Sequence, residues 1–191
     1  MIYVAVEGES DRGAATAVVA AAGHVVARVY VSGGKSKLDP SVAKYLRAAQ
    51  RSSWVVFRDS DGQCPVELKQ KLLPAARGSS PRFTLRIAHT MTEAWLLADR
   101  RGFASYFGVR EEKVPIDPEA LNHAKRALLL LCAQSAPRAV RRDVVTADGL
   151  TGPLYVSRLN DFATNHWDVA RAAENSPSLA RAIAAIRLLP A

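Results

Sequence analysis

The chain has 191 residues, 49% hydrophobic and 23% charged, which is enough for one domain with its own core and excludes a disordered tail. No apolar run approaches the ~20 residues of a membrane span, and Met1-Ile2-Tyr3-Val4 lacks a basic leader region, so a cytoplasmic protein with no membrane contact is expected. The net charge of +8 and pI near 9.9 suit a protein that meets a polyanion, although many basic enzymes touch none.

Ile2–Val6 is an apolar run that ends abruptly in Glu7-Gly8-Glu9-Ser10-Asp11, and the alanine-rich stretch 14–22 is stopped by Gly23, so strand, loop and helix follow in turn. Val25–Val31 predicts a second strand, Ser32-Gly33-Gly34 a turn, and 40–50 a helix with Val42, Leu46 and Ala49 at helical spacing. Trp54-Val55-Val56-Phe57 predicts a third strand, broken by Asp59-Ser60-Asp61-Gly62, and 65–73 a helix with Pro65 in its first turn. Phe83–Ala88 predicts a fourth strand and 91–100 a helix. This alternation implies an α/β domain with an open, mostly parallel sheet and helices on both faces.

From Glu111 the rhythm changes to helical patterns at 119–134, 156–174 and 178–189, with a basic loop around 138–142. No Pro/Gly/Ser-rich linker separates the halves, so 1–191 is read as a single domain: an α/β core over 1–110 and a helical extension over 111–191 packed on it. Cys64 and Cys132 stand far apart without CxxC spacing or nearby His, so both are expected to be packing residues, with neither disulfide nor zinc.

Ligands bind at the carboxyl ends of the strands in such sheets, and acids collect in the loops there. Glu7 and Glu9 follow the first strand, Asp59 and Asp61 the third, and Glu93 lies a turn into the helix after the fourth, with His89 four residues earlier. A carboxylate cluster without cations is costly unless protons or a metal neutralise it, and Mg²⁺, or Mn²⁺ in its place, suits oxygen donors better than Zn²⁺ does. Each acid has a plainer reading. Asp59-Ser60-Asp61-Gly62 is good turn chemistry, Asp11 suits a helix N-cap, and Glu93 can pair with a base such as Arg86.

Gly34-Lys35-Ser36 lacks the glycine a phosphate-binding loop needs, since Val29 stands there, and Asp59-x-Asp61 does not continue as a calcium loop. The basic excess sits mid-chain: residues 71–110 hold seven basic and two acidic side chains. Lys71, Arg77, Arg82 and Arg86 bracket the loop at 78–81 and would make a cationic rim, or only a solvated face.

An apolar strand ending in Glu7-Gly8, and a later apolar strand ending in Asp59-x-Asp61, resemble the Toprim fold of topoisomerases, primases and overcoming-lysogenization-defect-type nucleases over roughly 1–100. Glu93-Ala94-Trp95-Leu96-Leu97-Ala98-Asp99 is similar to a bacterial Toprim-related family whose genes accompany ATPases in phage-defence settings. The resemblance implies Mg²⁺-dependent cleavage of DNA or RNA phosphodiesters. Glu7, Asp59 and Asp61 would be metal ligands, those three with Glu93 would be catalytic, and Lys35, Arg77, Arg82 and Arg86 would contact nucleic acid. Lys35, Arg58 and Lys125 are the options for a transition-state cation. Topoisomerase-type units often carry a third acid where Gln63 stands, and no tyrosine domain fits in this length, so strand passage is not expected. The alternative is a non-catalytic subunit that binds an ATPase or nucleic acid.

Overall fold

The computed structural model describes residues 1–75 and 78–190. Strands β1 (Ile2–Val6), β2 (Val26–Val31), β3 (Ser53–Asp59) and β4 (Phe83–Ala88) form one sheet in the order β2-β1-β3-β4, parallel at every pairing. The central strands β1 and β3 are covered on both faces, which is why they read as continuous apolar runs. Side chains alternate between the faces. Val4, Val6, Val55 and Phe57 join the larger core, while Ala5 and Val56 join the smaller one. Because Ala5 pairs with Val56, Glu7 leaves the sheet level with Arg58, one residue before Asp59.

The smaller core seats α2 (Lys35–Ala48) and α3 (Pro65–Leu72) through Leu38, Val42, Leu68 and Leu72. On the larger core lie α1 (Arg12–Ala21), α4 (Thr92–Ala98), α5 (Arg100–Phe107), α6 (Ala124–Ala133), α7 (Arg138–Val144), α8 (Tyr155–Asn165), α9 (Val169–Glu174) and α10 (Pro177–Arg187). This core runs from Ile2 to Leu189, so the extension shares it with the sheet. Trp95, Phe103, Phe107 and Phe162 are fully buried within it, each worth roughly 1.5–3 kcal/mol of burial.

The small residues of α1 let α8 approach closely. Gly13 N–H donates to Asn160 Oδ1 at 2.6 Å, and a Cβ at Gly13 would come within 3.0 Å of the Asn160 backbone. Gly13→Ala therefore has to push the two helices apart.

Several sequence expectations shift. Helix α2 starts at Lys35 with Pro40 inside it, and α6 starts only at Ala124. The basic stretch 138–142 is not a loop but α7, because Val140 and Val144 bury one face while the arginines stay at the surface. The helix expected over 91–100 ends at Ala98, since Asp99 caps α5 by accepting from Gly102 N–H at 3.0 Å. Asp99 is fully buried and also takes Arg171 Nε at 2.6 Å, which ties α9 to the core. Cys132 is buried, but Cys64 is exposed rather than packed. Among the described residues, no helix is long and apolar enough to cross a membrane.

Candidate functional site: an acidic cluster at the carboxyl end of the sheet

The carboxyl end of the sheet brings Glu7, Asp59 and Asp61 together, and then divides them. Asp59 points to the α1/α4 side. Its Oδ1 accepts from both the backbone N–H and the hydroxyl of Thr92 at 2.9 Å. Burial drives its carboxyl well above the usual range, and the charges of Asp11, Glu93 and Glu7 push the same way.

Asp61 belongs to the α2 side. Its left-handed backbone, φ 49°, turns the carboxylate back to accept from Lys35 Nζ and Arg58 Nη1, both at 2.9 Å. Burial raises its pKa, but these bonds and charges outweigh it and hold the carboxyl below the usual range. Arg58 is only 2% exposed; its Nε reaches Asp39 at 2.8 Å, and its Nη1 also bonds the Asp59 carbonyl. Its head therefore serves the α2 side, while the neighbouring Asp59 faces away from it, as strand alternation requires.

Glu7 stands between the two groups. Its Oε2 lies 3.5 Å from Arg58 Nη1, and this oxygen is buried without a hydrogen bond. Burial raises the Glu7 pKa, the charge of Arg58 opposes this, and that of Asp61 adds to it. The Glu7 carbonyl accepts from Gly33 and Gly34 N–H at 3.0 and 2.9 Å, which anchors the β2–α2 turn beside it. In that turn Gly33 and Gly34 both have positive φ, 77° and 110°, so the chain needs glycine there.

Asp11, which by sequence suits an N-cap, belongs to this acidic group. It stands at the α1 N-cap position without capping α1; its Oδ2 accepts from Gly8 N–H at 2.8 Å and so closes the short 3-10 turn over Glu9–Asp11. Burial, followed by the charges of Glu93 and Glu7, pushes its carboxyl up to about 6. Glu93 is 5% exposed, and its partner is not Arg86 but the Tyr155 hydroxyl, 2.7 Å from Oε1. His89 precedes α4 rather than sharing its face, with Nδ1 3.3 Å from Ser60 Oγ. Glu9 pairs with Arg12 at the surface.

Three carboxylates, Asp11, Asp59 and Glu93, thus face one another with hydroxyls and backbone N–H groups as partners, and Glu7 borders them. This donor set is entirely oxygen, which fits Mg²⁺ or Mn²⁺ and not Zn²⁺. The unbonded Glu7 oxygen is the kind of atom such an ion satisfies. Among the described residues, however, no three His, Cys, Asp or Glu side chains stand as a ready coordination sphere.

The basic residues expected to contact nucleic acid are dispersed. Lys35 is committed to Asp61. Arg82 lies at the amino end of β4, opposite the acids, and Arg86 is mid-strand. Arg77 lies outside the described residues. Lys125 sits over the Tyr155 ring, 4.8 Å from its centroid, beside the cluster. No family model, curated protein or solved structure matches the chain.

Proposed function

We propose that the carboxyl end of the sheet is a divalent-cation site of Toprim type that hydrolyses phosphodiesters in DNA or RNA, possibilities that one assay distinguishes. The carrying observation is the convergence of Asp11, Asp59 and Glu93, bordered by Glu7, at the sheet end where parallel α/β folds bind ligands. Glu7, Asp59 and Asp11 would hold the ion, with Glu93 oriented behind them by Tyr155. Bound Mg²⁺ or Mn²⁺ would supply charge neutralisation at phosphate oxygens and an acidified water. Glu7, whose carboxyl burial raises in pKa, would serve either as a ligand of the ion or as the base that takes a proton from an attacking water. Of the cations considered for charge developing on the phosphoryl group, Lys125 stands beside the cluster over the Tyr155 ring, whereas Arg58 and Lys35 are paired with Asp61 on the α2 side.

The test is cleavage of single- and double-stranded DNA and RNA with Mg²⁺, Mn²⁺ or EDTA, using wild type, Glu7→Gln and Asp59→Asn. Metal-dependent cleavage lost in both variants supports the reading. Cleavage unchanged in both overturns it.

A second reading has its own support. The hydrogen bonds from Thr92 to Asp59, from Gly8 to Asp11 and from Tyr155 to Glu93 also suit a structural polar group, which supports a non-catalytic subunit that binds an ATPase or nucleic acid. No cleavage of any substrate, together with no metal-induced stabilisation, would favour this alternative.

A further inference from the structure

Away from the acids, a cavity of about 680 Å³ opens along the free edge of β4, between α3 and the start of α10. Three cations line it: Lys69 from α3, Arg86 from β4 and Arg181 from α10, with no acid among the lining residues. Such grouping needs an explanation, because like charges brought together destabilise a fold unless an anion compensates. Arg86 Nε is buried with no hydrogen-bond partner, a cost on the order of 1–3 kcal/mol for a donor left unsatisfied. Burial and the Arg181 charge lower the Arg86 pKa, and burial and the Arg86 charge lower that of Lys69.

Further donors face the same space. Ser178 is 5% exposed, lines the cavity, and accepts from Trp95 Nε1 at 2.7 Å and from His89 N–H at 3.4 Å. Both bonds use the oxygen, so the Ser178 proton remains to be donated. Apolar side chains complete the lining, Val66 and Leu73 on either side of Lys69 in the α3 segment and Leu85 and Ile87 on either side of Arg86 in β4. The space is several times what a phosphate fills, and this apolar lining suits the flat body of a base.

We propose that this cavity binds a phosphomonoester of nucleotide size, its phosphate held by Arg86, Arg181 and Lys69 and its apolar body laid against α3 and β4. Arginine forks match phosphate oxygens with two parallel N–H bonds, and two arginines, Arg86 and Arg181, line this cavity. The site is independent of the acidic cluster and needs no metal.

The test is titration calorimetry in EDTA with adenosine 5′-monophosphate, adenosine and inorganic phosphate, backed by thermal melts. Adenosine 5′-monophosphate should bind at least tenfold more tightly than either adenosine or phosphate. Arg86→Met and the surface variant Arg181→Gln should each weaken it at least tenfold. In phosphate-free buffer Arg86→Met should melt no lower than wild type, since it removes an unpaired cation. Asp59→Asn should bind as wild type does, which separates this site from the metal reading. Equal affinity for adenosine and its monophosphate, equal affinity for phosphate and the monophosphate, no binding of any probe, or unchanged binding in both cation variants would each overturn the proposal.

Discussion

The Tyr155 hydroxyl donates a 2.7 Å hydrogen bond to Glu93 Oε1, joining the first turn of α8 to the first turn of α4 inside the core. The helical extension therefore reaches the acidic cluster directly, and its Tyr155 hydroxyl orients Glu93 from across the core.

Tyr155→Phe leaves that buried carboxylate oxygen without its donor and should cost about 1–3 kcal/mol in urea unfolding. Glu93→Gln keeps an acceptor for the hydroxyl and removes a charge that faces Asp59 and Asp11, so it should cost less than Tyr155→Phe. Equal stability of Tyr155→Phe and wild type would show that the bond does not hold Glu93.

Stability should fall as pH rises above 4. Asp11, at about 6, and Asp59, well above its usual value, hold protons in the folded chain that the unfolded chain releases near pH 4. Their stabilisation is fully present below the unfolded pKa and is lost as pH rises through the folded values, on the order of 2–3 kcal/mol for Asp11. Asp61 works in the opposite sense, and its contribution is lost only as pH falls below about 4. Urea midpoints at pH 5, 6, 7 and 8 should decline in wild type and decline less in Asp11→Asn or Asp59→Asn. A midpoint that climbs from pH 5 to 7 would contradict the buried acidic cluster.

Magnesium should reverse that loss at neutral pH. With the ion at a hundred times its Kd, the gain is about 2.7 kcal/mol, or roughly 5–10 °C in Tm for a chain of this size. Asp59→Asn should melt at or above wild type without metal, because one of the mutually repelling charges is gone, and should show no rise with it. If Asp59 serves only to accept from Thr92 at the start of α4, Asp59→Ala loses roughly 0.5–2 kcal/mol, as losing a cap does, and Mg²⁺ changes nothing.

Arg58→Met should be among the most destabilising single changes on the α2 side. It strips Asp39, Asp61 and Glu7 of a shared, almost fully buried partner. Breaking such a group costs up to about 3–5 kcal/mol, and because the carboxylates keep partial access to water, about 2–3 kcal/mol is expected. Arg58→Lys should recover only part, since an ammonium does not reproduce the fork that grips Asp39 at 2.8 and 3.3 Å. Guanidinium-free urea melts of the three proteins give the ranking.

Several features were legible in the sequence because they are local. The apolar run 83–88 is β4 to the residue, and Glu7 stands at the end of β1 as the abrupt change from valine to acid implies. Alternation of short strands with helices was enough for a parallel sheet with layers on both faces, because burial on both sides demands that pattern. Tertiary structure alone decided which charges meet. Asp11 looks like a cap from its neighbours, and only the approach of α4 makes it part of an acidic group. Asp59 and Asp61 look equivalent two residues apart, yet a left-handed residue and the alternation of β3 send them to different partners. The pairing of Glu93 with Tyr155, 62 residues apart, and the gathering of Lys69, Arg86 and Arg181 have no sequence signal. Periodicity records which face of an element is buried, whereas electrostatic neighbours depend on how separate elements pack, and residue order does not encode that contact locally.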